Sequence, residues 1–346
     1  MKIAYILPSL ACTGPIIVAQ NLIHQLRTKA ELVDVYYFND RKELDFECDI
    51  FRIDPGTEIP FDCYDIIHAH MLMPNRYLWK HRRKIKGKIV STLHQFISYS
   101  LRTDHNVLAS LVYTPIWYQY LRAADHIVYI SNSLKESAIK HLPGIPSSCI
   151  YNGIDISAEN DVLHQADLEP IKRLKQKYKL IGNFSNFTYR KGIDQLISCL
   201  VKNPDIALLL IGNGKVLNNL KKQASRLNVS DRCLFLDFRP VVMPFYKFLD
   251  AYAMTSRSEA FGLSMVEAAA CHIPVVCSDL PTFRELFSES EVDFFKIEDI
   301  DSLNLAIREA LKTDNPKIPK AYQKYKDNFT TEKMAEGYWK LYNELI

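Results

Sequence analysis

The stretch AYAMTSRSEAFGLSMVEAAACHIPVVCS, residues 251–278, reads as strand, turn, helix, strand. AYAMTS (251–256) and PVVCS (274–278) are short apolar runs of strand type. Between them a glycine turn opens onto small helix-forming residues. The same alternation extends to either side, in LIGNF (180–184), ALLLIG (207–212), CLFLD (233–237) and FFKI (294–297). It recurs in the first half as IAYIL (3–7), LVDVYYF (32–38), DIIHA (65–69), KIVSTL (88–93), HIVYI (126–130) and CIYN (149–152). Strands alternating with amphipathic stretches predict α/β architecture, with parallel sheets covered by helices on both faces. A helix is predicted after Pro15, with Ile16, Ala19, Ile23 and Leu26 on one face.

A chain of 346 residues is too long for one ordinary core. The polar stretch 157–179 carries charge and Pro170 but no strand signal, so the connection between two domains is placed there. The expected division is 1–165, 166–328 and a final helix in 329–346, with Met334, Tyr338, Leu341 and Ile346 apolar, crossing back to the first domain. Apolar residues make up 48% and charged residues 24%, with a net charge of +3, as in an ordinary soluble protein without a general attraction for nucleic acid. No apolar run reaches the roughly 18 residues of a membrane span. MKIAYILPSL reads as a first buried strand rather than a leader. Eight cysteines without metal-ligand spacing are expected as reduced, mostly buried thiols of a cytosolic protein.

Two segments carry candidate chemistry. In 258–279, Glu259 follows a strand, Phe261-Gly262-Leu263-Ser264 forms a turn, and Glu267 lies in the helix that the turn opens. Free amides at a helix N-terminus attract anions, and Gly262 lets the backbone approach a phosphate. A carboxylate on each side of that turn is spaced to hold the two sugars of a sugar nucleotide. In 180–200, Arg190 and Lys191 follow a strand, at the sheet end where α/β proteins bind ligands. Cations there suit a departing phosphate.

In order along the chain, the glycine turn ACTGP, HAH, TLH, SNSLKES, YNGID, RKGID, IGNGK and the two spaced glutamates resemble the family 4 glycosyltransferases of the GT-B fold. The resemblance spans nearly the whole chain. It implies two Rossmann-like, doubly wound domains facing across a cleft, the first for the acceptor and the second for the donor. It implies a retaining transfer from a nucleoside diphosphate sugar, foremost a UDP-sugar, to a glycan or lipid-linked glycan, without metal or cofactor. The setting it implies is cell-surface polysaccharide or lipopolysaccharide synthesis in the cytoplasm, at the inner membrane face. By the same resemblance Glu267 binds the ribose, Glu259 the donor sugar, and the 261–264 amides the diphosphate. Lys191 stabilises the leaving phosphate, His94 reaches the sugar or reaction centre, and Gly14 lets the first domain close. Gly212 and Gly214 form a close-approach loop, and Asp237 and Arg239 lie where the base is held.

The chain departs from the family where an Arg is usual before the Lys. Asn186 stands there, or Asn183 if a gap intervenes, with Arg190 as a substitute charge. A sugar-nucleotide-binding protein that has lost turnover is therefore an alternative reading, and a sugar-nucleotide epimerase is another.

His68 and His70 are expected on opposite faces of their strand. EDID (298–301) reads as helix capping. The basic run WKHRRKIKGK (79–88) is a candidate contact for anionic lipid, and Trp117, Tyr118 and Tyr120 divide between core packing and an acceptor site.

Overall fold

The structure, a computed structural model, describes residues 1–104, 106–156 and 163–346. The chain divides into two compact units, Met1–Asp155 with Asn328–Ile346, and Ile156–Asp327. Of the expected connection, residues 157–162 lie outside the described residues, and helix Gln165–Lys175 belongs to the second unit.

The first unit holds a seven-stranded sheet of β1 (Lys2–Leu10), β2 (Leu32–Lys42), β3 (Asp49–Arg52), β4 (Ile66–His70), β5 (Lys88–Leu93), β6 (His126–Tyr129) and β7 (Ser147–Cys149). All pairs are parallel, in the order β3-β2-β1-β4-β5-β6-β7. The order reverses between β1 and β4, which makes a topological switch point at their carboxyl ends. Ile3–Leu7 and all of β4 are buried, as strands covered on both faces require. Ile16, Ala19, Ile23 and Leu26 of helix Gly14–Leu26 are buried as the periodicity implies.

Two strand expectations need correction. DIFR (49–52) forms β3, which carries only two apolar residues; as an edge strand it needs one partner, and Phe51 stacks on Tyr36 at 5.2 Å. The run CIYN contributes only Cys149, because the chain turns away at Gly153 to lie against the Thr330 carbonyl. The terminal helix Thr331–Leu345 packs within this unit and buries Met334, Tyr338, Leu341 and Tyr342. Ile346 lies beyond the helix and is exposed, so Tyr342 completes the buried stripe instead.

The second unit repeats the scheme with β8 (Lys179–Phe184), β9 (Ile206–Ile211), β10 (Cys233–Leu236), β11 (Ala251–Met254), β12 (Val275–Ser278) and β13 (Asp293–Phe295). The order is β10-β9-β8-β11-β12-β13, again all parallel, with the switch point between β8 and β11. None of the eight cysteines forms a disulfide, but only Cys12, Cys199 and Cys277 are buried and Cys63 is exposed, fewer than the expected mostly buried set. Asp299 caps helix Ile300–Ala310 by accepting from the Ser302 amide at 2.9 Å.

Candidate active site

The carboxyl ends of β8 and β11 deliver the second unit's charged cluster. Beyond β8 a single helical turn, Tyr189–Lys191, ends at Gly192 in the left-handed conformation (φ 64°), and helix Ile193–Cys199 follows. An added Cβ on Gly192 would stand 2.0 Å from the Thr255 carbonyl, so only glycine lets the turn lie against the β11 loop. Beyond β11 comes Glu259. Lys191 Nζ lies 2.5 Å from Glu259 Oε2, and Arg190 Nη1 lies 3.4 Å from Oε1. Burial alone would raise the Glu259 pKa; the Lys191 and Arg190 charges and the hydrogen bonds to it outweigh burial and hold it below the usual carboxylate range. Arg190 Nε is buried without a hydrogen-bond partner among the described residues.

The turn between Glu259 and Glu267 has the geometry its sequence suggests. Gly262 is left-handed (φ 102°), and a Cβ there would stand 2.8 Å from the Phe283 ring. Helix Leu263–Ala270 starts immediately after it, and among the described residues the Leu263 and Ser264 amides have no acceptor. Buried Ala268, Ala269 and Ala270 let the helix sit close to the sheet. Phe261 is buried under the turn. Glu267 Oε2 accepts from the Tyr246 hydroxyl at 2.8 Å. Burial raises the Glu267 pKa, and that hydrogen bond only partly opposes the rise.

Residues 165–329 match the family described as glycosyl transferases group 1, and residues 58–158 match glycosyltransferase family 4. The O-antigen biosynthesis glycosyltransferase WclY of Escherichia coli is 31% identical over 100% of this chain and 99% of its own length. The chain belongs to the family 4 glycosyltransferases. Two solved structures share its GT-B fold. Alr3699/HepE of Anabaena, in complex with UDP and glucose, has a TM-score of 0.82 at 19% identity, covering 100% of both chains. Sucrose-phosphate synthase of Thermosynechococcus elongatus has a TM-score of 0.81 at 18% identity, covering 100% of this chain and 99% of that one.

The other predicted residues of the glycosyltransferase lie in loops and helix starts of their own units. Gly212 (φ 148°) would place a Cβ 1.9 Å from the Ser185 carbonyl, and Gly214 lies against Phe187 and Asn186, so the β9 loop closes on the β8 loop. Asn183 is buried and donates to the Ala253 carbonyl at 2.7 Å; the exposed loop position is Asn186. Arg239 is committed to Asp167 through two contacts of 2.7 Å, and Asp237 accepts from Asn213 at 3.0 Å. Gly14 and His94 belong to the first unit, at the start of helix Gly14–Leu26 and directly after β5.

The expectation for His68 and His70 is overturned. Residues two apart on a strand share a face, and the two rings lie 4.3 Å apart. Both are fully buried. His94 joins them, its Nε2 2.8 Å from His70 Nδ1, and burial pushes its pKa down to about 3.

Sequence reasoning missed Arg257 and Tyr246. The Arg257 guanidinium contacts both Asp194 oxygens at 2.9 and 2.7 Å, pairs with Glu298 and covers the Tyr189 ring at 3.9 Å. Its amide also donates to the Arg190 carbonyl at 2.7 Å, so it ties the two charged loops together. An arginine two residues before Glu259 gives no local signal, because its partners lie 63 and 41 positions away.

Proposed function

We propose that this glycosyltransferase moves a sugar from UDP-sugar to a hydroxyl of a glycan or lipid-linked glycan, with retention of anomeric configuration and without a metal. The observation that carries the reading is the part-buried Lys191–Glu259–Arg190 cluster, which precedes the N-terminus of helix Leu263–Ala270, where the Leu263 and Ser264 amides have no acceptor among the described residues. Cations and a helix N-terminus together stabilise a departing diphosphate. Lys191 and Arg190 neutralise its charge, and the 261–264 backbone approaches its oxygens. Glu267 takes the ribose hydroxyls, and Glu259 the hydroxyls of the donor sugar. Gly212 and Gly214 shape the wall beside the nucleotide, with Asp237 and Arg239 near the base and Asn186 at the phosphate edge. His94 meets the donor sugar, and Gly14 gives the first unit a close approach. The acceptor attacks from the leaving-group side, and a β-phosphate oxygen helps take its proton.

UDP is favoured by analogy with Alr3699/HepE, which was solved with UDP and with UDP-glucose. An O-antigen or lipopolysaccharide acceptor is favoured by WclY. Cytoplasmic work at the inner membrane face follows from such an acceptor. Its support is a surface of the first unit. Helix Val107–Leu121 has no charged residue, yet Val107, Leu108, Leu111, Val112 and Tyr113 are all exposed. Trp79 stands 5.3 Å from Tyr120 on the same helix. Exposed Arg76, Lys80 and Arg83 follow Trp79's own stripe and form no salt bridge among the described residues. Apolar and aromatic residues edged by cations suit an anionic bilayer, at about 1 kcal/mol per cation.

A panel of nucleoside diphosphate sugars, read by nucleotide release, tests the transfer. Slow hydrolysis of one donor, abolished in Glu259→Ala and Lys191→Ala, supports the proposal. Binding without release, with or without candidate acceptors, favours the inactive binding protein that Asn186 suggests. Product without acceptor favours an epimerase.

A further inference from the structure

The ends of β4 and β5 bring three histidines and two tyrosines of the terminal helix into one hydrogen-bonded group. Tyr342 OH lies 2.6 Å from His68 Nδ1, and His68 Nε2 lies 2.8 Å from Thr92 Oγ1. Tyr338 OH contacts the same Thr92 oxygen at 2.8 Å. The His68 ring lies against His70, and His70 Nδ1 meets His94 Nε2 at 2.8 Å. Among the described residues, His70 Nε2 is buried with no partner, whereas His94 Nδ1 is left unpaired on a partly exposed side chain.

Between two neutral imidazoles, one hydrogen is shared, and only two arrangements exist. If His94 donates through Nε2–H, the hydrogen of His70 must sit on its Nε2, as a buried N–H without an acceptor. If His70 donates through Nδ1–H, its Nε2 is a bare lone pair. Buried orphan N–H groups are rarer than unfilled acceptors, which selects the second arrangement.

We propose that His70 is a positioning residue that holds His94 as its Nδ1–H tautomer, so that His94 presents a neutral hydrogen-bond donor. A donor suits what the site must hold, since sugar hydroxyls and phosphate oxygens all accept hydrogen bonds. The consequence for the transferase rests on reading His94 as the group that meets the donor sugar; the tautomer itself does not.

Long-range proton–nitrogen correlation spectra of histidine-labelled full-length protein read the tautomer directly. The expected spectrum shows His94 protonated at Nδ1 and bare at Nε2; protonation at Nε2 overturns the proposal. Kinetics give a second reading. In His70→Asn an amide N–H can replace Nδ1–H, so kcat should stay within a few-fold. In His70→Asp the acceptor forces the opposite tautomer, and kcat should fall about tenfold to a hundredfold, the worth of one hydrogen bond in the transition state. In a His94→Ala background, His70→Asp should cost nothing further. Equal losses in His70→Asn and His70→Asp at matched melting temperatures, or additivity with His94→Ala, overturn it. If His94→Ala alone leaves transfer intact while the spectrum is as expected, the reading of His94 fails and the tautomer stands.

Discussion

Glu259 and Glu267 stand eight positions apart in opposite electrical company. Glu259 has Lys191 and Arg190 beside it, whereas Glu267 has a neutral phenol. Folding therefore lowers the first carboxyl's pKa and raises the second's. From the first shift, Glu259 contributes stability at pH values above its unfolded pKa of about 4.3, and loses it as pH falls through the lower folded value. Glu259→Gln should thus melt below the wild type at pH 7, with the gap closing under acid; a gap independent of pH would contradict the pairing. The second shift has the opposite sign. Glu267 favours folding below about pH 4.3 and opposes it as pH rises through the raised folded value. Glu267→Gln should therefore raise the melting temperature at pH 7 while weakening UDP binding about tenfold or more, as measured by calorimetry. Loss of both stability and binding would assign Glu267 a structural role alone. The spacing of these two residues was legible in the sequence; their opposite pKa shifts were not, because the charges that lower Glu259 come from positions 190 and 191 and the burial that raises Glu267 arises only on folding.

At the scale of elements, the strand–turn–helix unit at 251–278 is specified locally by a glycine at a left-handed position and by alanines that allow close packing. Gly262→Ala should cost activity beyond its modest effect on stability, since the strained turn and the Phe283 ring must shift together; single-turnover rates at matched melting temperatures check this. The terminal helix is legible as an amphipathic helix, but its partners are not. Tyr342→Phe removes the partner of buried His68 Nδ1 and should cost about 1–3 kcal/mol, measured by denaturant unfolding. A change below a few tenths of a kcal/mol would show that another group satisfies the ring. The edge strand β3 escaped detection because one-sided pairing asks little of its sequence. The histidines were placed on the wrong faces of a correctly found strand, an error of parity rather than of pattern.

At the scale of the whole molecule, the second unit is one continuous stretch, whereas the first is built from both ends of the chain. The proposed nucleotide ligands Lys191, Arg190, Gly262 and Glu267 all belong to the continuous unit. Scanning calorimetry should show UDP raising the transition of that unit by mass action, by about 2.7 kcal/mol at a hundred times Kd. An equal shift of every transition would mean that the nucleotide holds both units together. By itself, the sequence determined two sets of parallel α/β repeats and the order of the glycine turns and charged motifs, since these depend on periodicity and local backbone conformation. Only the tertiary structure decided that Arg257 ties the charged loops together and that Tyr246 partners Glu267. It also decided that His70 reaches His94 beside a helix from the far end of the chain. Such contacts join residues tens to hundreds of positions apart, and hydrogen bonds and pKa shifts depend on distances that exist only once the chain has folded.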